Sequence, residues 1–145
     1  MIGREPLDEI QRAIMADLAD DDYGLWEVFG IVKGELLPDV TDAEVESRAT
    51  SAVGDFLKRG FVQIRTERPG QESIVLESPV AEEAIRTSSS WDEPSPNSDQ
   101  FWLVSTEEGL TAYLGPRPRG WRQLPLVLAA LLRENRWRAR LPRRR

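Results

Sequence analysis

Residues 41–66, TDAEVESRATSAVGDFLKRGFVQIRT, restrict the possible folds more than any other stretch of the chain. Thr41 with Glu44 three residues on forms a capping-box pair. The threonine hydroxyl accepts the third-position N–H and the glutamate reaches back to the cap. Val45, Ala49, Ala52 and Phe56 then recur at helical spacing, with Val53 on the flank, and predict one buried stripe. Gly60 stands where a helix ends in a left-handed residue. Over residues 61–66 the apolar period falls to two, so Val62 and Ile64 share a strand face. A long helix is therefore expected to pass through a glycine stop directly into a strand.

The flanks follow from the same rules. Residues 6–19 predict a first helix with Leu7, Ile10, Ile14 and Leu18 inward and Pro6 in the first turn. Residues 20–24, DDDYG, break it. The acidic triplet reads as a solvated loop, because a calcium-binding EF-hand loop needs alternate carboxylates and a closing glutamate. Leu25, Val28, Phe29, Val32 and Leu36 predict a second helix stopped by Pro38. After the strand, Pro69-Gly70 favours a type II turn, and alternation through Ile74 and Leu76 completes a hairpin. Ser78-Pro79 is expected to cap a short helix over 80–87. A serine-rich loop over 88–100, pinned by Trp91, leads to a strand at 101–105. Thr106 caps a last helix over 107–114, whose Glu107 and Glu108 suit the helix dipole. Trp26, Trp91 and Trp102 read as core or core-edge anchors.

At 145 residues the chain has the length of one domain. It contains no cysteine and no histidine, which leaves no disulfide, no thiolate or imidazole ligand and no common catalytic base or thiol nucleophile. No P-loop, dinucleotide fingerprint or nucleophile elbow occurs. Neither enzyme activity, nor a cofactor, nor a metal is expected. The first ten residues carry acids where a secretory leader needs a positive end and an apolar run. The longest near-apolar run, residues 124–132, is far shorter than the roughly 20 residues a bilayer span needs. A cytoplasmic location without a membrane span is expected. The charge is divided: residues 116–145 hold ten arginines against Glu134, a net of +9, which leaves −15 of the total −6 on residues 1–115. The chain thus divides into an acidic domain, 1–115, and an arginine-rich extension, 116–145.

Three helices, a hairpin, a further strand and a closing helix follow in winged-helix order. The segment LVSTEEGLTAY at 103–113 resembles the strand–LTxxG junction that ends the wing in MarR- and PadR-type winged-helix regulators. The segments GLWEVFGIVKGELLPDVTDAEVE, DFLKRGFVQI and SSSW with the later FWLVSTEEG are similar to a group of small uncharacterised bacterial winged-helix-like proteins. The resemblance covers residues 6–115. It implies an α+β, mainly α, winged helix-turn-helix fold with three N-terminal helices, a small antiparallel β-wing and a closing helix. Such folds host DNA readers, protein-binding modules and immunity proteins alike.

In the regulators it resembles, the long helix offers basic or amide side chains to base edges. Here the face opposite the core stripe runs Ala43, Ser47, Thr50 and Gly54, and Asp42, Glu44 and Glu46 crowd the helix start. Those acids oppose phosphate. The four small residues instead suggest a shallow track on which a protein partner could pack, with Gly54 expected to have a packing reason. A protein-partner module, regulator- or immunity-like, is the leading expectation, and its acidic body suits a basic partner. The alternative is a DNA-binding regulator, as a monomer or homodimer, using Lys58, Arg65 and Arg68 with Arg138, Arg140 and Arg143 of the extension.

Overall fold

The structure, a computed structural model, describes residues 6–115. The arginine-rich extension, residues 116–145, lies outside the described residues. The described chain is an α+β fold. Helix α1 (Glu9–Leu18), strand β1 (Tyr23–Gly24), helix α2 (Leu25–Glu35), helix α3 (Asp42–Lys58) and strand β2 (Val62–Glu67) come first. Strand β3 (Ile74–Leu76), helix α4 (Val80–Arg86), a 3-10 turn (Ser88–Trp91), strand β4 (Gln100–Ser105) and helix α5 (Glu107–Leu114) follow. The sheet is antiparallel, in the order β1-β4-β2-β3. Among the described residues no helix is long and apolar enough to cross a membrane.

Helix α1 starts later than its sequence predicts, because a capping box sets the start and Pro6 lies ahead of it. Asp8 accepts the Gln11 N–H at 2.8 Å, and the Gln11 side chain accepts the Asp8 N–H at 3.2 Å. The glutamine is buried, and its Nε2 donates to Asp55 Oδ2 of α3 at 2.7 Å. Ile14 and Leu18 face inward as expected, joined by the fully buried Met15. The acidic loop ends in a strand that the sequence reading treats as a simple break. Two residues are too few to show alternation, and β1 exists only through its pairing of Tyr23 with Leu103 and Gly24 with Trp102. In α2, Leu25, Val28 and Val32 are buried as expected. Ile31 joins them, whereas Phe29 and Leu36 reach only half-burial.

Helix α3 follows its pattern closely. Val45, Ala49, Ala52, Val53 and Phe56 are all buried. Thr41 caps it by accepting the Glu44 N–H at 3.3 Å. The reciprocal half of the capping box is replaced, since Glu44 instead accepts from Arg48 at 3.1 Å, one turn on. Gly60, at φ 72°, ends the helix in a Schellman motif. The Phe61 N–H donates to Phe56 O at 2.9 Å, the Gly60 N–H to Leu57 O at 3.2 Å, and the Phe56 and Phe61 rings sit 6.3 Å apart. The chain leaves at once into β2, whose Val62 and Ile64 face the core.

The hairpin turn is of type II form, with the Gln71 N–H donating to Arg68 O at 2.9 Å and Gly70 at φ 78°. Helix α4 lacks the expected serine cap: the Ser78 hydroxyl donates to the Glu82 carboxylate, and the peptide bond to Pro79 is cis. Trp91 is buried as predicted, its indole N–H donating to Ile85 O at 2.8 Å. Thr106 caps α5 by accepting the Gly109 N–H at 3.1 Å, and donates to Gly60 O at 2.6 Å. The two corners of the chain, α3 to β2 and β4 to α5, are thereby joined.

Candidate interaction surface

The small-residue track on α3 is split by the fold. Ala43 and Ser47 are exposed, while Thr50 and Gly54 are half-buried against the chain's own α4. The Thr50 hydroxyl donates to Ile85 O at 3.3 Å, and a Cβ built on Gly54 would lie 3.6 Å from Ile85 Cδ1. Ser88 closes the same side by donating to Glu46 at 2.8 Å. Thus the helix that covers half of the track belongs to the molecule. Gly54 has room for a methyl group, so close packing does not demand a glycine there. At the N-terminal end, Asp42 pairs with Lys33 at 3.4 Å, and the Lys33 ammonium also donates to Val40 O.

The three cations of the alternative reading are exposed, and each has a carboxylate beside it. Arg68 forks onto Asp99, Nε to Oδ1 at 2.6 Å and Nη2 to Oδ2 at 3.1 Å. This bidentate pair raises the guanidinium pKa and lowers that of the Asp99 carboxyl. Arg65 acts on Asp22. Partial burial and the neighbouring Asp21 raise the Asp22 carboxyl, Arg65 offsets part of the rise, and Glu67 adds to it. Lys58 contributes to lowering the Glu82 carboxyl, behind the larger effect of the Ser78 hydroxyl. Arg65 stands on β2 and Arg68 in the turn that follows it, while Lys58 is the last residue of α3. Arg138, Arg140 and Arg143 lie outside the described residues. Among the described residues no three acidic side chains gather as a metal site.

The most distinctive surface is one the sequence reading does not anticipate. β3 is the outer strand of the sheet and pairs only with β2, through Leu76 with Ile64, Val75 with Arg65 and Ile74 with Thr66. Ile74 is 58% exposed, Val75 41%, and Val80 at the start of α4 56%. Alternation predicts Ile74 on the core face. The strand is three residues long and lies at the rim, so that face extends past the helices that would cover it. Three consecutive apolar residues, IVL, in place of strict alternation were the available signal. Glu72 and Glu77 flank the strand and are exposed.

A second apolar feature lies on the sheet face turned away from the helices. The Trp26 indole folds back over Gly24, where an added Cβ would meet Trp26 Nε1 at 2.8 Å. Gly24 pairs with Trp102, so the two indoles belong to the same face of the sheet. The Trp102 indole N–H is buried without a hydrogen-bond partner among the described residues. Trp91 is the core anchor expected of it, whereas Trp26 is a surface residue. Compared with family models, with curated proteins and with solved structures, the chain matches none.

Proposed function

We propose that the chain is a non-enzymatic winged-helix binding module of the cytoplasm. It docks a protein partner on the hairpin edge formed by Ile74, Val75 and Val80. The order of elements supports the fold reading. α1, β1, α2, α3 and β2 followed by a return strand between β1 and β2 is the winged-helix sequence, here with β3, α4 and the 3-10 turn inserted before that strand. The observation that carries the functional reading is the exposed edge itself. Shortness is one of the ways proteins blunt an edge strand, and β3 is only three residues long, yet it presents isoleucine, valine and leucine between two glutamates. The chemistry fits a partner with an apolar strip bordered by basic side chains. The −15 body would steer such a partner towards it.

The test compares full-length variants. Val75→Asp with Val80→Asp is expected to abolish capture of a partner that the wild type and a Lys58→Glu/Arg65→Glu variant both retain. Fluorescence anisotropy on duplex DNA across a salt series provides the opposite outcome. If duplex binding is steep in salt and lost on reversing Lys58 and Arg65, the protein-partner reading fails.

A further inference from the structure

The exposed large apolar side chains among the described residues are Trp26, Ile74, Val75 and Val80, and three of the four fall between residues 74 and 80. Ile74 and Val75 lie on opposite faces of β3, so with Val80 they make an apolar rim and not a single face. The exposed Glu72 and Glu77 flank the strand on either side. Two features of the occupant can be read from this: an apolar strip to cover the rim, and cations beside it to meet the carboxylates. A second acidic body does not fit, because two −15 surfaces repel one another.

The chain itself carries a segment with both features. Beyond Gly115, where α5 ends, stand thirty residues with a net charge of +9. Within them the run LPLVLAALL at 124–132 has arginines on both sides: Arg117, Arg119 and Arg122 before it, Arg133, Arg136 and Arg138 after it. Length imposes no obstacle, since thirty residues can extend to roughly 100 Å, against a radius of gyration of about 13 Å for a domain of this size. Covalent attachment also holds the segment at an effective concentration of order millimolar, so a weak intrinsic affinity suffices.

We infer that residues 116–145 are the resident occupant of the hairpin edge in the same molecule. The apolar run covers Ile74, Val75 and Val80, and the arginines beside it face Glu72 and Glu77. This rests on the surface named in the functional reading and adds to it: an outside partner must displace the chain's own segment. The two can fail separately, because a partner may be captured elsewhere while the segment still docks, and the segment may dock where no partner exists.

The absence of native cysteine permits a clean test in the full chain. Ser73→Cys, exposed beside β3 and outside the apolar side chains to be covered, is given a nitroxide label, and NMR line broadening is read along residues 121–140 at low protein concentration. The control label is Asp39→Cys, ahead of α3 and a helix length of about 25 Å from the hairpin end. The expected result is strong broadening from the label at position 73 and little from that at 39. Glu72→Lys with Glu77→Lys should weaken the docking by at least about tenfold and restore the lines. Three results overturn the inference: no broadening, equal broadening from both labels, or broadening found only when labelled and unlabelled chains are mixed. The last would assign the segment to a second copy.

Discussion

Gly109 and Gly54 are both helical glycines, and the space around them predicts opposite outcomes. A Cβ on Gly109 would lie 2.1 Å from Phe61 O and 2.9 Å from its carbonyl carbon. That neighbour is backbone, held by the Thr106 N–H at 3.0 Å, and cannot turn aside. Gly109→Ala is therefore expected to cost about 3 kcal/mol in urea unfolding, the upper part of the range for overpacking. A Cβ on Gly54 meets only Ile85 Cδ1 at ordinary contact distance. Gly54→Ala should raise stability by about 0.5–1 kcal/mol, through helix propensity alone. The spacing in the sequence draws attention to Gly54, whereas the close contact within the fold is at Gly109. The difference is one of range: Gly109 is constrained by a carbonyl far upstream, which no local spacing reveals.

Among elements, α3, α4 and the 3-10 turn meet at one acceptor, the Ile85 carbonyl. Thr50 and Trp91 both donate to it. Either donor alone keeps the carbonyl satisfied, so Thr50→Val and Trp91→Phe should each cost little singly and be more than additive when combined. The double variant is expected to lose about 0.5–1 kcal/mol beyond their sum in a double-mutant cycle. At the other corner, Thr106→Ala removes the α5 cap and the bond to Gly60 O together, and should cost about 1–2 kcal/mol by thermal unfolding. The elements legible in the sequence were those specified locally. The α3 stripe, the Gly60 stop, the Pro69-Gly70 turn and the Thr106 cap all depend on residues a few positions apart. β1 and the exposed edge of β3 were not legible, because the first is defined by a distant partner strand and the second by the helices that fail to reach it.

For the molecule as a whole, charge is the largest imbalance, and Asp22 is where it can be read by pH. Its carboxyl is raised above the ordinary value by partial burial, by Asp21 and by Glu67. A folded state that holds a proton more tightly than the unfolded chain loses stability as pH rises through that raised pKa. Asp22→Asn is therefore expected to stabilise the full chain at neutral pH. The gain should fade as pH falls through the raised pKa, where the aspartate is already neutral in the fold. It should also shrink with added salt, since the acidic neighbours are exposed. An increase in the gain on acidification would reverse this assignment.

β4 lies between β1 and β2, and each of those strands reaches the sheet through it. During synthesis, Tyr23 and Gly24 therefore wait for a partner until Trp102 and Leu103 have been added. Val62 and Ile64 wait equally long to be closed on that side. What forms early is the helical part together with the β2–β3 hairpin, and the sheet is completed in one late event rather than strand by strand. Such distant pairing slows folding relative to a bundle of local contacts. The timing of assembly is thus governed by a strand near the end of the described chain, although the stretch that most restricts its form lies in the middle.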